Sequence, residues 1–180
     1  MYGMVQLGME AMVTQEYDHD TWVRITERAG HPDLVTVSNA PYPDELTYGL
    51  VGAACEELGA DPAALLHAFG RYWVAQFAVD HYRTLLDAAG DDLPSFLRNL
   101  NNLHVRVGLL VPGYRPPRFE VTDETEGGLQ VHYYSEREGL VPFVSGLLVG
   151  VGDRFGVPVS VEHLTGKDQG LDHEVFSLTW

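Results

Sequence analysis

Cysteine and lysine are nearly absent from this chain of 180 residues, which contains one of each, Cys55 and Lys167. A single cysteine excludes an internal disulfide and any zinc or iron–sulfur site built on several thiolates. Acidic residues outnumber basic ones by 26 to 11, so the formal net charge is −15. Because nucleic acids and anionic membranes attract basic surfaces, this balance argues against both as partners.

Long apolar runs are also absent. The longest, near residues 139–151, contains Pro142 and Ser145 and is too short to span a membrane. The first ten residues, MYGMVQLGME, lack the basic and long apolar regions of a signal peptide. Hydrophobic residues make up 45% of the chain and charged residues 21%, as in ordinary globular proteins. We therefore expect a soluble, cytoplasmic protein with a single domain over residues 1–180.

Helical periodicity dominates the first two thirds of the chain. Apolar residues at i, i+3, i+4 and i+7 predict one helix of about five turns from Leu93 to Leu110. After Pro117 the period changes to two, and a hairpin is predicted around the turn at residues 126–128. The predicted helices cover residues 3–13, 18–30, 45–58, 62–77, 79–88, 93–110 and 140–155. The pattern therefore indicates an α+β fold of about seven helices, mostly N-terminal, with a four-stranded antiparallel sheet.

One histidine stands on the apolar face of the helix predicted at 93–110. His104 follows Leu100 by one turn and neighbours Leu103 and Val107. No pair among the eight histidines has the spacing of a common zinc motif. A histidine in such a place is either a core residue with one hydrogen bond or a ligand, since a buried neutral imidazole can bind haem iron. The absence of a CxxCH motif predicts that any haem would be bound without covalent attachment. His19, His31 and His173 are expected in surface or loop positions.

Tyr133, Ser135 and Arg137 form a Y-x-S-x-R spacing at the end of a predicted strand. Alternate residues of an extended segment share one face, so two hydroxyls and a guanidinium would converge there. That combination suits a carboxylate or phosphate. The other interpretation is a solvated strand face on which Arg137 pairs with Glu136 or Glu138.

Several separate motifs together resemble one family. The chain is similar to the haem nitric oxide/oxygen-binding (H-NOX) domains, which include the sensory domain of soluble guanylate cyclase and stand-alone bacterial NO sensors. The matching segments are Met1-Tyr2-Gly3, Leu103-His104, Pro116-Pro117 and the run HYYSEREGL at residues 132–140. The order of helices and strands fits this family over the whole chain.

The resemblance implies a role for each matching residue. His104 is expected to be the proximal ligand of a b-type haem (iron protoporphyrin IX), and Tyr133, Ser135 and Arg137 are expected to hold its propionates. Pro117 would press on the porphyrin. Val5 and Leu147 correspond to residues that line the distal face in family members. Asn101 replaces an acidic residue of the guanylate cyclase sensor, which is expected to alter how a signal leaves the helix.

The distal residues are expected to decide which gas binds. Oxygen-binding members carry a distal tyrosine three residues before a glycine on the helix after the Y-x-S-x-R strand. If that glycine is Gly146, Phe143 takes the tyrosine position, and a shift of one residue would give Pro142. Neither side chain can donate a hydrogen bond to bound O₂. A supporting tryptophan of the family corresponds to Met9. Other donors could reach the pocket from another helix: Tyr72, Trp73 and Tyr82.

These features predict a cytoplasmic NO sensor without catalytic activity. It would bind NO and CO but not O₂ stably. By resemblance, NO weakens the bond between iron and His104, and the helix that carries His104 then shifts. Because the sequence ends at Trp180, the expected partner is a separate signalling protein, a histidine kinase or a cyclic-di-GMP enzyme. The alternatives are an O₂ sensor, a haem enzyme such as a peroxidase or NO dioxygenase, and an interaction domain without haem.

Overall fold

A computed structural model describes residues 1–109, 111 and 113–180 of the chain. Leu110, where the predicted helix was expected to end, lies outside the described residues. The described helices are α1 (Gly3–Glu16), α2 (His19–Arg28), α3 (Asp44–Leu58), α4 (Pro62–Tyr72), α5 (Ala78–Asp87), α6 (Leu93–Arg98), α7 (Leu100–Gly108) and α8 (Val141–Phe155). The strands are β1 (Arg118–Thr125), β2 (Gly128–Tyr134), β3 (Ser160–Thr165) and β4 (Glu174–Thr179). None of the described helices has the length and hydropathy needed to cross a bilayer.

The predicted α+β class is confirmed. All four strands form one antiparallel sheet in the order β1-β2-β4-β3. The hairpin register pairs Phe119 with Tyr133, and β4 pairs Glu174 with the same tyrosine. Since neighbours along a strand point to opposite faces, Val131 and Tyr133 are buried on one face and His132 lies on the other.

Internal contacts divide the chain into two compact units, Met1–Phe69 and Gly70–Trp180. Within the first unit, α2 packs against both α1 and α3. Its buried side chains include Ile25 and Leu50, which are fully enclosed. Gln6 and Thr47 are also buried there, and the Gln6 amide donates a hydrogen bond of 2.6 Å to the Thr47 hydroxyl. This bond satisfies a polar contact that burial would otherwise penalise.

In the second unit, helices α5 to α8 contribute to a core that covers one face of the sheet. Phe96, Leu97 and Leu148 from the helices are buried together with Phe176 and Leu178 from β4. Within this unit α8 contacts β3 and the π-helical turn Trp73–Phe77, and α7 contacts β1. The core therefore fixes the helices that carry the predicted site residues against the sheet.

The prediction of one helix over residues 93–110 is wrong. Asn99 leaves the helical conformation with φ −94° and ψ 1°, so the segment forms two helices, α6 and α7. Its carboxamide accepts a hydrogen bond of 2.7 Å from the Asn102 side chain. Asparagine is a weak helix former because its side chain competes for such local bonds. The apolar periodicity passes through the break, so the pattern did not reveal it.

The sequence predicts a break between two helices near residue 78, but the helical backbone continues through this point. The π-helical turn Trp73–Phe77 joins α4 to α5, and the backbone is non-helical at Tyr82 with φ −133° and ψ 23°. Extra residues in a π turn shift the helical phase and are frequent near functional sites. Sequence periodicity cannot distinguish a phase shift of this kind from the end of a helix.

Candidate functional site

His104 lies on α7 in a largely buried aromatic environment. Its ring centroid is 5.7 Å from that of Phe119 and 6.2 Å from that of Tyr114. Phe119 in turn lies 5.3 Å from Tyr133 on the neighbouring strand. The rings therefore connect the histidine to the first residue of the Y-x-S-x-R spacing.

One nitrogen of this imidazole, Nδ1, lacks a hydrogen bond of normal geometry. Among the described residues, Nδ1 of His104 is buried and accepts or donates no hydrogen bond. Burial lowers the pKa of His104 from 6.5 to about 4, and an interaction with the Pro117 backbone offsets only part of this shift. The ring is therefore neutral at physiological pH, which is the form that ligates a metal. A buried polar atom without a partner costs free energy. Ligation of a metal by the imidazole would remove this cost.

Asn101 ties α7 to the start of β1. Its carboxamide donates to the Phe119 carbonyl at 2.5 Å and accepts from the Phe119 amide at 2.8 Å. A carboxylate at this position could accept the second bond but could not donate the first. The departure from the acidic residue expected by resemblance thus creates a two-bond clamp, placed one turn before His104.

Tyr133 and Ser135 lie on either side of the end of β2. Tyr133 is buried with 6% of its surface exposed, whereas Ser135 and Arg137 follow the strand, which ends at Tyr134. The Arg137 amide donates to the Ser135 hydroxyl at 3.1 Å, so this segment forms a local turn. Because β2 ends at Tyr134, strand alternation does not by itself align Ser135 and Arg137 with Tyr133, and their convergence stays a prediction.

Lys167, which is distant in sequence, forms a hydrogen bond with the same turn. It lies in the 3-10 turn Lys167–Gln169 between β3 and β4, and its ammonium group donates to the Ser135 carbonyl. The contact spans 32 residues of sequence. The only lysine of an acidic chain therefore brings a positive charge to the segment predicted to bind an anion. Sequence reasoning missed this role, although the isolated lysine was visible.

Phe143 and Leu147 lie on one face of α8, which approaches α4 closely at Gly70. A Cβ atom at Gly70 would collide with the Phe143 carbonyl and lie 2.8 Å from the Leu147 nitrogen. Only glycine permits this approach, so the backbone that carries both side chains is fixed against another helix. In the sequence, this contact could have been suspected from Gly70, because a glycine inside a predicted helix often marks close packing.

The remaining predicted residues occupy separate places. Val5 is half-buried on α1 in the first unit, and Met9 on the same helix is 4% exposed. Pro117 is half-buried immediately before β1. Seven of the eight predicted site residues thus belong to the unit Gly70–Trp180, and Val5 belongs to the other.

Cys55 does not have the environment of an activated thiol. It is half-buried on α3, and burial raises the pKa of the thiol, with a further contribution from Asp61. A raised pKa decreases the thiolate fraction that reacts with oxidants. The environment of Cys55 is therefore that of a small packed residue rather than that of a redox-sensing thiol.

Comparison with protein families identifies the class. The sequence profile of the haem-NO-binding family matches residues 2–163. Together with the orphaned imidazole and the fold described above, this match shows that the chain belongs to the haem-NO-binding (H-NOX) family of haem-binding gas sensors. Domains of this family are sensory rather than catalytic.

Curated relatives of the chain are guanylate cyclases. Soluble guanylate cyclase gcy-35 of Caenorhabditis elegans is 30% identical over 99% of the chain, and soluble guanylate cyclase 89Db of Drosophila melanogaster is 24% identical over 86%. The aligned region covers 27% and 23% of these relatives, so the chain spans about a quarter of their length.

Solved structures confirm the fold. The crystal structure of an H-NOX protein from S. oneidensis in the Fe(II)NO ligation state matches with a TM-score of 0.89. It is 22% identical, and the match covers 99% of this chain and 98% of that chain. At this identity the likeness establishes the architecture, while the role of each residue depends on the geometry of this chain.

Proposed function

We propose that this protein is a haem-based nitric oxide sensor in which His104 is the proximal ligand. The observation that carries the proposal is the buried Nδ1 atom of His104, which lacks a hydrogen bond of normal geometry among the described residues. An imidazole that is neutral and partly unsatisfied is suited to hold iron. The proposal treats residues 1–180 as a single sensor domain.

The other predicted residues would surround a b-type haem. Tyr133, Ser135 and Arg137 would hold the propionates by hydrogen bonds and charge, supported by the Lys167 ammonium group on the Ser135 carbonyl. Pro117 would contact the porphyrin next to His104. When bound, a ferrous haem would supply a coordination position for a diatomic gas, and His104 would hold its iron.

The residues expected on the distal side favour NO and CO over O₂. Val5, Phe143 and Leu147 carry apolar side chains without a hydrogen-bond donor. Bound O₂ is stabilised by a donor near its outer oxygen, whereas NO and CO depend on one much less. The close approach of the Phe143 and Leu147 backbone to Gly70 would hold both side chains in a fixed position.

The output of the sensor would be a displacement of α7. The Asn101 clamp transmits any movement of α7 to β1, because both of its bonds go to the backbone of Phe119. Val105 on α7 and Leu109 immediately after it are 65% and 82% exposed. Residues 93–118 contain four arginines and no acidic residue, unlike the rest of this acidic chain. This face would contact a signalling protein in trans, for which the resemblance suggests a histidine kinase or a cyclic-di-GMP enzyme.

Absorption spectra of the reduced protein test the proposal. Without gas we expect a five-coordinate ferrous spectrum, no change in air, and a shift with NO and with CO. A stable oxygenated spectrum would contradict the NO-selective pocket and favour an O₂ sensor. Absence of a haem band after reconstitution would exclude His104 as a haem ligand, and steady-state turnover of peroxide would indicate a haem enzyme.

Phe143→Tyr sharpens the test of selectivity. A hydroxyl in the distal pocket adds a hydrogen bond to a charged oxygen, about 1.5–3 kcal/mol, so O₂ should dissociate roughly 10- to 100-fold more slowly. Laser photolysis of the CO complex in the presence of O₂ measures the rate at which O₂ then dissociates. Phe143→Leu adds no donor and is the control. If both variants behave alike, Phe143 does not face the bound gas.

A further inference from the structure

A hydrogen-bonded chain of four side chains lies on the face of the sheet away from the core. Thr122 Oγ1 is 2.9 Å from His132 Nε2, and His132 Nδ1 is 2.9 Å from His173 Nε2. His173 Nδ1 is 2.6 Å from Asp172 Oδ1. His173 was expected to be a simple loop residue, but its side chain is only 14% exposed and has partners on both nitrogens.

The partners of the two rings determine where their protons lie. The Asp172 carboxylate lies 2.6 Å from Nδ1 of His173 and can only accept a hydrogen bond, so Nδ1 carries a proton. In the neutral ring, Nε2 of His173 then offers a bare lone pair towards His132. The Thr122 hydroxyl either donates to His132 Nε2 or, after rotation, accepts from it. In the second arrangement Nδ1 of His132 is also bare.

In the first arrangement a proton on His132 Nδ1 joins the two rings by a hydrogen bond. In the second arrangement the two facing lone pairs repel each other, and a cation bound by both nitrogens would take the place of that proton. Metal-bound histidines commonly donate their other ring proton to a carboxylate or another oxygen, and this pair has both partners in place. In a tetrahedral site with bonds of about 2.0 Å, two ligand nitrogens lie about 3.3 Å apart. The observed separation of 2.9 Å would thus have to open by a few tenths of an ångström.

We propose that His132 and His173 form a binding site for a divalent transition-metal cation of the Zn²⁺ type, separate from the haem site. Asp172 and Thr122 are the outer partners that orient the two rings. No cluster of three or more metal-ligating side chains occurs within the described part of the chain. The two imidazoles would therefore be the protein ligands, and water would complete the coordination.

The surroundings of the pair tolerate added positive charge. Tyr134 stacks on His173 with a centroid separation of 4.3 Å, and the Arg118 guanidinium covers the Tyr134 ring at 3.6 Å. Arg118 is itself paired with Glu120 at 3.0 Å, so its charge is largely balanced. Asp172 is 85% exposed and contributes a negative charge beside the entrance. The net charge of −15 adds a general attraction for cations.

Zn²⁺ is the probe for the experiment because it is redox-inert and leaves a ferrous haem unchanged. The untagged, haem-loaded protein in its diamagnetic ferrous–CO form is titrated with Zn²⁺, and the ring ¹⁵N resonances of the histidines are followed by NMR. We expect one equivalent to shift Nδ1 of His132 and Nε2 of His173 together. Binding should weaken at least about tenfold in either His132→Gln or His173→Gln, as for loss of one ligand of two.

Two further variants separate ligation from altered folding. Asp172→Asn keeps both imidazoles and changes only an exposed side chain, and it should weaken Zn²⁺ binding about tenfold through the outer partner. His31→Gln removes an exposed histidine of the other unit and should leave binding unchanged. Zn²⁺ that shifts all histidines equally, or binding that survives His173→Gln, would overturn the site. Absence of binding at micromolar Zn²⁺ would show that the pair is only a hydrogen-bonded contact.

Discussion

Helices α7 and α8 contribute opposite chemistry to the same unit of the protein. Helix α7 carries polar groups in buried places, the orphaned nitrogen of His104 and the Asn101 clamp on β1. Helix α8 carries apolar side chains and is held by the close approach of its backbone to Gly70. Polar contacts are directional and can be exchanged, whereas close backbone packing resists change. Under the proposed function, α7 would respond to a bound gas, whereas α8 would hold the distal side chains in a fixed position.

Removal of the imidazole should have the largest effect. His104→Gly deletes the only proposed iron ligand, so haem affinity should fall at least about 100-fold, because loss of even an outer partner of a ligand costs about 10- to 100-fold. Transfer of haem to an acceptor protein measures this. Free imidazole should restore the five-coordinate spectrum.

Val105→Gly is the matched control for this variant. It carries the same glycine penalty on α7, about 1 kcal/mol, at an exposed position next to His104. The control should retain its haem. If His104→Gly also retains haem without imidazole, α7 does not provide the ligand.

The close packing of α8 should be the next most sensitive feature. In Gly70→Ala, the new methyl group meets the backbone of Phe143 and Leu147, so the free energy of unfolding should fall by about 1–3 kcal/mol. Chemical denaturation measures the change. Gly52→Ala on α3 enters open space and should be neutral or stabilising by up to about 1 kcal/mol. Equal stability of the two variants would show that α8 is not held at Gly70.

One substitution removes a single bond of the Asn101 clamp and keeps the other. Asn101→Asp removes the donor to the Phe119 carbonyl, which should cost about 1–3 kcal/mol of stability and change the iron–imidazole vibration by loosening α7. Asn102→Asp is the control, because this exposed side chain donates to the Asn99 side chain and makes no hydrogen bond to β1 among the described residues. If the vibration is unchanged in Asn101→Asp, α7 responds to iron independently of β1.

The smallest effect is expected from the lysine that supports the Ser135 turn. Lys167→Met removes one hydrogen bond to the Ser135 carbonyl, about 1 kcal/mol, so haem should dissociate about fivefold faster. Lys167→Arg keeps the charge and should lie closer to the wild type. If the methionine variant binds haem as tightly as wild type, the turn does not depend on Lys167.

The sequence was sufficient for the features that depend on local pattern. The change of period after Pro117 predicts the hairpin, which pairs Phe119 with Tyr133 as described, and apolar spacing predicts α8. His104 and the Y-x-S-x-R residues could be selected because motif spacing and helix position are both local.

The features that sequence reasoning missed depend on contacts between distant segments. The Asn101 clamp joins residues that are 18 apart in sequence, and the contact of Lys167 with Ser135 joins residues that are 32 apart. The break at Asn99 preserves the apolar stripe, so periodicity continues through it. The His132–His173 pair results from strand order, since β4 lies beside β2 rather than beside β1. Pairing of strands is set by the whole fold and not by the local pattern.

Resonance Raman spectroscopy of the reduced wild-type protein tests the central claim most directly, because it detects the bond between iron and a proximal imidazole. The account predicts an iron–imidazole band that disappears in His104→Gly and returns when free imidazole is added. A band that persists in His104→Gly without imidazole, or that is missing from the haem-loaded wild type, would contradict the assignment of His104 as the ligand.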